Sequence, residues 1–377
     1  MKFNARKSDL VGALGMVERG LPTARYSLPI TEGVLVEAFD NNLFMTSNNL
    51  EISVKAVIGD VNIEDEGAFI LPRRFAEVVK RLPDETVYFE TIEKLESTDI
   101  EVKCGKSKFI FHSLDIDVKE FPASTPEDEW LRWDKINLPA LEFKEMLGLV
   151  TFALAKDDNK PAFLGVFLEI DEEGEMTLCG SDTYRMAKVQ KKVDTPLGNI
   201  QLLIPGKTLN IVSKMLEDDS DTISCYFSQK EVVFAYKQYV IAGSLLKYKY
   251  PNISKIFQAE PKTVVTVDCK LLESVLSRAV LAASKGLPKG RFTISDDTLV
   301  ISTGDEISLC DELIDIEMKG DTLEEMFLNI KYITEPLRAI KEKEVVLEFN
   351  GNLGPCILGY KSDVWDYKYL MFPIVRE

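Results

Sequence analysis

One strand-and-helix pattern occurs three times along this chain of 377 residues. Each copy begins with a short alternation of apolar and polar residues and continues with apolar residues at i, i+3, i+4 and i+7. This order is typical of a short strand followed by an amphipathic helix. The three copies are FNARKSDLVGALGMV, INLPALEFKEMLGLV and VTVDCKLLESVLSRA. A pattern repeated at nearly equal intervals predicts three similar domains in tandem, which excludes most other architectures.

A second amphipathic helix is predicted about halfway through each copy. The three segments are ILPRRFAEVVKRL, IPGKTLNIVSKML and LNIKYITEPLRAI. Between the helices the chain reads as strands separated by turn residues such as Asn350-Gly351. The chain therefore divides into six half-units of about 65 residues, each a helix with several antiparallel strands. Strand–helix patterns also recur by chance in α+β proteins, but three registers that agree within a few residues favour a true repeat.

Two polar segments separate the copies. Residues 122–130 (PASTPEDEW) are acidic and contain proline, and residues 257–262 (FQAEPK) precede the third opening strand. Both compositions are typical of linkers between domains. We therefore predict an α+β protein whose three domains comprise residues 1–124, 125–258 and 259–377. Each domain is expected to pack two helices on antiparallel sheets.

The composition is that of an ordinary globular protein, with 45% hydrophobic and 28% charged residues. No apolar run approaches the roughly 18 residues of a membrane-spanning helix, and the start MKFNARKSDL lacks the apolar segment of a signal peptide. The six cysteines are scattered without a CxxC pair, which indicates reduced thiols and neither disulfides nor a zinc site. We expect a cytoplasmic protein that does not associate with membranes.

The charge is distributed unevenly. The formal net charge of −17 argues against nucleic-acid binding. However, the predicted helix windows 7–20, 71–82, 141–150, 205–216, 269–285 and 328–343 hold 16 basic and 8 acidic residues, against 29 and 54 elsewhere. Lys and Arg suit exposed helix faces in any protein, so this bias alone leaves two interpretations open. If the six helices share one surface, that surface would attract a phosphate backbone without reading the bases.

The sequence shows no catalytic constellation. The single histidine, His112, lies in the alternating segment FIFHSL and is interpreted as a strand residue. Two Gly-Lys pairs resemble the end of a phosphate-binding loop, but Gln201 and Ile100 stand where that loop needs glycine. No nucleophile–base pair or paired-carboxylate motif is present. We therefore expect no catalytic residues, no metal and no cofactor, although the many acidic residues leave an enzyme as an open alternative.

Four segments together resemble one protein family. They are GSDTYRMA, LLIPGKTLNIVSKML, KYPNISKIF and the terminal YLMFPIVRE. In this order and spacing they are similar to the motifs of the bacterial sliding clamp, the beta subunit of DNA polymerase III. The resemblance, with the threefold repeat, covers the whole chain. It implies a head-to-tail homodimeric ring that encircles duplex DNA, with helices towards the hole and sheets outside.

The same resemblance implies a function without chemistry of its own. Such a ring tethers the replicative polymerase to DNA and so confers processivity. The implied partners are a second copy, double-stranded DNA, the DNA polymerase III alpha subunit, the clamp-loader delta subunit, repair polymerases, ligase and mismatch-repair proteins. One alternative is a clamp-like scaffold that docks peptides but does not encircle DNA. Retention on circular but not on linear DNA would distinguish the two.

The resemblance also explains why the chain ends in an apolar run. In the family, the C-terminal strand and the segment equivalent to GSDTYRMA line a groove for a short partner peptide bearing Gln and Leu or Phe. The implied groove residues are Phe163, Ser181, Thr183, Tyr184, Arg185, Met186, Pro251, Lys255, Ile256, Pro355, Leu370, Phe372, Pro373 and Ile374. Tyr184, Thr183 and Lys255 stand where His, Gly and Arg are usual, so one end of the groove is expected to differ in shape.

Two further sets of residues follow from the resemblance and the basic helices. Arg25 matches a family position that contacts DNA. The other DNA-binding candidates are Arg73, Arg74, Lys80, Lys156, Lys160, Lys207, Lys214, Arg278, Lys331 and Arg338. For the dimer interface, Phe109 and Phe111 match one edge strand by position, and the segment of Leu281 and Ala282 matches the opposing side.

Overall fold

The computed structural model describes residues 1–22, 29–93, 98–112, 117–195, 197–217, 220–253, 256–258, 260–284 and 286–375. Within these residues a helix is present in each of the six predicted places, and one short helix is additional. The helices are α1 (Lys7–Val17), α2 (Arg74–Arg81), α3 (Glu127–Trp130), α4 (Ala140–Val150), α5 (Gly206–Met215), α6 (Cys269–Ala282) and α7 (Ile330–Ala339). None of the described helices is long and apolar enough to cross a membrane.

The described residues form 26 strands, and all their pairings are antiparallel. The strands are β1 (Lys2–Arg6), β2 (Gly33–Phe39), β3 (Asn42–Asn48), β4 (Ile52–Ile58), β5 (Asn62–Asp65), β6 (Gly67–Pro72), β7 (Thr86–Glu93), β8 (Thr98–Cys104), β9 (Ser107–His112), β10 (Asp134–Pro139), β11 (Gly165–Ile170), β12 (Glu175–Ser181), β13 (Arg185–Lys192), β14 (Ile200–Pro205), β15 (Thr222–Phe227), β16 (Glu231–Tyr236), β17 (Tyr239–Ser244), β18 (Thr263–Asp268), β19 (Lys289–Ser295), β20 (Thr298–Gly304), β21 (Leu309–Asp315), β22 (Glu317–Gly320), β23 (Leu323–Asn329), β24 (Glu344–Phe349), β25 (Cys356–Lys361) and β26 (Asp366–Met371).

The chain forms two compact units. The first comprises residues 1–141 and 207–245, and the second comprises residues 142–206 and 246–377. The first unit holds a five-stranded sheet of order β5-β1-β7-β8-β9 and an eight-stranded sheet of order β10-β15-β16-β17-β4-β3-β2-β6. The second holds a nine-stranded sheet of order β14-β11-β12-β13-β26-β25-β24-β18-β22 and a four-stranded sheet of order β21-β20-β19-β23.

The two large sheets each combine strands from neighbouring repeats. In the eight-stranded sheet β17 pairs with β4, so that Ile241 lies opposite Val54. In the nine-stranded sheet β13 pairs with β26. The half-units predicted from the sequence are therefore not separate sheets, because these pairings join segments that are far apart in the chain. The predicted domain limits at 124 and 258 stay a prediction.

Local sequence explains the helix starts in the third repeat. Strand β18 alternates buried and half-buried residues and ends at Asp268, whose side chain accepts a hydrogen bond from the Leu271 backbone N–H. Asn329 after β23 caps α7 in the same way through the Lys331 N–H. Such caps satisfy backbone donors that the first helical turn leaves open. Each strand therefore passes directly into the helix that packs beside it.

The apolar C-terminal run forms an interior strand. Strand β26 lies between β13 and β25, with Tyr367 and Tyr369 fully buried. The Tyr367 hydroxyl donates a hydrogen bond to the Leu149 carbonyl at a distance of 3.2 Å. After β26 the backbone N–H of Ile374 donates to the Phe327 carbonyl at 2.7 Å. Sheet pairing and these bonds hold a segment that would otherwise fray.

Candidate functional site

The apolar end of the chain lies beside the segment 181–186. Across the β13–β26 pair, Met186 is opposite Leu370 and Arg185 is opposite Met371. The Phe372 N–H donates to the Tyr184 carbonyl at 3.1 Å. Met186 and Leu370 are closed to solvent, whereas the Phe372 side chain is 51% exposed. The pair therefore forms a floor of apolar side chains with an exposed aromatic ring at its edge.

An apolar cluster flanks this floor. Met186 belongs to a buried group with Cys179, Leu203, Tyr250 and Ile253, against which Phe163 and Ile256 pack. The rings of Phe163 and Tyr250 meet edge to face with centroids 5.6 Å apart. Burial raises the pKa of the Cys179 thiol to about 12, so this part of the cluster stays uncharged at neutral pH. The cluster is apolar and offers no reactive thiolate.

The loop before β13 carries a strained residue. Thr183 has a φ of 79°, a region that β-branched residues rarely occupy. Its N–H donates to the Ser181 hydroxyl at 3.1 Å, and Lys160 Nζ donates to the Thr183 hydroxyl at 2.6 Å. Lys160 Nζ also lies 4.4 Å from the centroid of the exposed Tyr184 ring. These contacts fix the rim of the floor and present an aromatic ring and a cation there.

The buried side chain of Arg185 stabilises this rim. Its side chain is only 5% exposed. Its Nε donates to Asp182 at 3.0 Å, and its Nη2 donates to the Phe152 carbonyl at 2.9 Å. Its Nη1 donates to Glu335 on α7, and the guanidinium stacks on the Tyr332 ring with a separation of 4.3 Å. A buried guanidinium with this many partners orders the loop and is not itself open to a ligand.

The structure brings most of the predicted groove residues together. Of the remaining ones, Pro251 is exposed directly after Tyr250, Pro355 precedes β25, and Pro373 is half-buried after Phe372. Lys255 lies outside the described residues. Ser181, Arg185, Met186 and Leu370 are buried and support the surface, whereas Thr183, Tyr184 and Phe372 are exposed. The assignment of the groove remains a prediction.

The basic candidates fall into two groups. Cations of the first group have a partner within the chain. Lys80 pairs with Glu18, and Arg338 Nε lies 3.6 Å from Glu273 Oε1. Arg278 donates two hydrogen bonds of 2.7 Å to Glu312. Arg73 Nη1 donates a hydrogen bond to the Pro22 carbonyl at 3.5 Å. Exposed cations that form no ion pair with any described residue make up the second group: Arg74, Lys156, Lys207, Lys214 and Lys331. Arg25 lies outside the described residues, and Lys160 lies at the rim of the apolar floor.

The interface candidates lie on one edge strand and at the end of one helix. Strand β9 is the edge of the five-stranded sheet, and Phe109 there is 37% exposed. Phe111 instead packs edge to face on the buried Phe75, with centroids 5.6 Å apart. Leu281, near the end of α6, is 84% exposed, and the Ala282 carbonyl accepts a hydrogen bond from the Ser308 hydroxyl.

The sequence reasoning missed several residues at these places. Tyr250 and Ile253 belong to the apolar cluster, and both stand within the segment KYPNISKIF. On β21, the edge of the four-stranded sheet, Leu309 is 88% exposed and Leu313 is 66% exposed. Exposed leucines on an edge strand are an unusual feature, but neither their exposure nor the edge position can be read from the sequence. In the part of the chain that is described, no group of three or more His, Cys, Asp or Glu could hold a metal ion.

The chain is similar to known proteins over its whole length. Models of the DNA polymerase III beta subunit match in tandem: the N-terminal domain over residues 1–125, the central domain over 137–252 and the C-terminal domain over 254–375. The beta sliding clamp of Staphylococcus aureus is 27% identical over 374 residues, covering 96% of each chain. The beta sliding clamp of Bacillus subtilis is 26% identical over 376 residues, covering 96% of this chain and 97% of that protein. The crystal structure of the DNA polymerase sliding clamp from Bacillus subtilis matches with a TM-score of 0.92 at 25% identity, with both chains fully covered.

Proposed function

The chain belongs to the DNA polymerase III beta-subunit family, and from this membership we propose how its own residues serve as a DNA sliding clamp in replication. The observation that carries the function is the tandem match of all three domain models, which together account for each of the three repeats. The fold is the three-domain clamp fold of helices and antiparallel sheets. The family is a processivity factor, and we propose that this chain has no catalytic site of its own.

The unpaired cations on the helices are proposed to contact DNA. Lys207 and Lys214 lie seven residues apart on α5, and Lys331 lies in the first turn of α7. These side chains are exposed and form no ion pair with the described residues. Phosphate attracts such cations and releases condensed counterions, whatever the base sequence. Contact with the backbone alone would let the protein move along the duplex.

A homodimer is proposed to close around the duplex through β9 of one copy and β21 of the other. Strand β9 presents the exposed side chains of Phe109 and Ile110, and β21 presents Leu309 and Leu313. Their charges are complementary, since Lys106 stands at the first edge and acidic residues stand along the second. The acidic residues are Asp305, Glu306, Asp311 and Asp315, while Lys108 and Glu312 already pair with Glu101 and Arg278 of their own chain. Apolar edges of opposite charge favour pairing between different edges, which is a head-to-tail arrangement.

The floor of Met186 and Leu370 is proposed to hold the anchor side chain of partner peptides. It combines buried apolar groups with an exposed aromatic edge at Phe372 and Tyr184. This combination suits a short peptide that inserts Leu or Phe. The polymerase is the first proposed partner. The alpha subunit, the clamp-loader delta subunit, repair polymerases, ligase and mismatch-repair proteins are proposed to use the same groove, and the site of action is proposed to be the cytoplasm.

Retention on DNA of different topology tests this function. The purified protein is loaded by a clamp loader onto a nicked circular plasmid or onto the same plasmid after linearisation, and the bound fraction is measured by gel filtration. We expect retention on the circle and loss from the linear form, because a ring slides off a free end. Equal retention on both would favour a peptide-docking scaffold that does not encircle DNA.

Substituting the cations tests which residues contact the backbone. The double variant Lys207→Ala/Lys214→Ala should shorten retention on the circle and reduce the slope of affinity against salt by about one per lost phosphate contact. Lys361→Ala, on β25, is the control because it removes an exposed cation from a sheet. Equal effects of both variants would contradict a specific role for α5.

A further inference from the structure

Two lysines extend the apolar floor along the sheet. Lys188 on β13 lies directly opposite Lys368 on β26. Each stands two residues from a floor residue, Met186 or Leu370. Because alternate side chains of a strand lie on the same face, the lysine pair and the floor share one face of the nine-stranded sheet. The floor is therefore continued by two adjacent cations.

This pair is held in an unfavourable electrostatic setting. Both side chains are half-buried, and like charges directly opposite each other on a sheet are destabilising. Lys188 Nζ lies 5.1 Å from the centroid of the Phe257 ring, and Phe257 packs against the apolar cluster. Burial lowers the pKa of the Lys188 ammonium, and Lys368 lowers it further. An added anion would relieve both effects.

No described carboxylate forms an ion pair with either lysine. Asp366 and Glu175 raise the pKa of the Lys188 ammonium, but together they do not offset the lowering by burial and by Lys368. Among the described residues neither Lys188 nor Lys368 forms an ion pair. The cationic pair is thus open to a group from another molecule, on the face where a partner peptide is proposed to lie.

We propose that Lys188 and Lys368 bind an acidic side chain of the partner peptide, an inference that rests on the proposed groove at Met186 and Leu370. A strand rises about 3.3 Å per residue, so the lysine pair stands about 7 Å from the floor pair. An extended peptide covers that distance in two residues. The groove therefore selects peptides with Asp or Glu about two residues from the anchor side chain.

A paired peptide scan tests this selection. Fluorescently labelled peptides based on Gln-Leu-Ser-Leu-Phe carry Asp, or the matched amide Asn, at each position within three residues of the Leu-Phe anchor. Their dissociation constants are measured by fluorescence polarisation with the wild-type protein, Lys188→Met and Lys368→Met. Lys361→Met is the control because Lys361 is exposed on the neighbouring strand β25. Methionine keeps most of the length of the side chain and removes the charge.

We expect one Asp position to bind the wild type about five- to tenfold more tightly than its Asn partner. This ratio should fall towards one in Lys188→Met and Lys368→Met, persist in Lys361→Met, and shrink as salt is raised. Unchanged affinity for the Asn peptides would show that the variants keep the groove intact. Saturable binding of the parent peptide without any Asp preference would overturn the lysine site alone. No binding of any peptide would overturn the lysine site and also a groove for peptides of this kind.

Discussion

The guanidinium of Arg185 on β13 donates a hydrogen bond to the carboxylate of Glu335 on α7. The strand that forms the floor of the proposed groove is thereby tied to a helix that carries the exposed cations Lys331 and Arg338. The same guanidinium holds Asp182 in the loop at the rim. One buried side chain thus connects the proposed peptide surface with a helix proposed to meet DNA.

Replacing Arg185 with methionine should lower the free energy of unfolding by about 2 kcal/mol, because Asp182 and Glu335 lose their shared partner. Arg185→Lys should recover only part of this loss, since an ammonium cannot reproduce the planar array of donors. Urea denaturation followed by circular dichroism measures the difference. Stability equal to wild type in Arg185→Met would mean that the network contributes no net stabilisation.

The stability should also depend on Glu101 in the acid range. This residue on β8 is 5% exposed and accepts hydrogen bonds from Lys103 and Lys108, which hold the pKa of its carboxyl below the usual value of 4.5. The folded state therefore resists protonation more than the unfolded chain does. The resulting stabilisation is present above about pH 4.5 and is lost as the pH falls through the lower folded pKa.

The variant Glu101→Gln tests this dependence. Its melting temperature should be lower than that of wild type at pH 7, and the difference should shrink as the pH falls below about 4.5. Glu324→Gln, at an exposed position on β23, serves as the matched control for replacing a carboxylate by an amide. A difference for Glu101→Gln that stays constant down to pH 3 would contradict the role of the charged carboxylate.

Local periodicity predicted the helices well because each helix carries its own pattern. In α6 the apolar spacing of Leu272, Val275 and Leu276 matches their burial. The joining of repeats into large sheets had no such signal, since Ile241 and Val54 pair across a long stretch of sequence. Only tertiary structure specifies that register.

The candidate site was proposed from the sequence through resemblance more than through pattern. An apolar tail indicates burial, but nothing local places Leu370 opposite Met186. Lys160 shows the limit most clearly. The resemblance makes it a DNA-binding candidate, which stays a prediction, but nothing in its own segment indicates that its ammonium bonds to Thr183 and lies over Tyr184. Long flexible side chains reach partners that their own segment does not reveal.

The exposed Leu281 should contribute to the dimer interface. It is 84% exposed in the single chain, so Leu281→Lys should leave the fold of the chain intact. Burying a charge in place of an apolar group at an interface is costly, and we expect the dimer dissociation constant to rise at least about tenfold. Sedimentation equilibrium measures it, with Leu50→Lys as a control because Leu50 is 61% exposed in the turn between β3 and β4. An unchanged dimer in Leu281→Lys would remove this segment from the interface.

A substitution at Phe372 distinguishes a role of the C-terminal segment in peptide binding from a role in dimer assembly. Its ring is 51% exposed, while its backbone N–H is anchored on the Tyr184 carbonyl. Phe372→Ala should therefore keep the strand in place and remove only the exposed aromatic edge. We expect at least about tenfold weaker binding of labelled Gln-Leu-Ser-Leu-Phe, or about 1.4 kcal/mol, measured by fluorescence polarisation.

The control for Phe372→Ala is Val364→Ala, which truncates a 43% exposed side chain in the turn before β26. The mass of the dimer should be unchanged in both variants. Dissociation of the Phe372→Ala dimer would instead assign the tail to assembly. Absence of peptide binding by the wild type would mean that Tyr184, with its ring over Lys160, and the strained Thr183 have reshaped the groove for a different peptide. Because both residues depart from the usual family pattern at one end of the floor, their change to His and Gly should then restore binding.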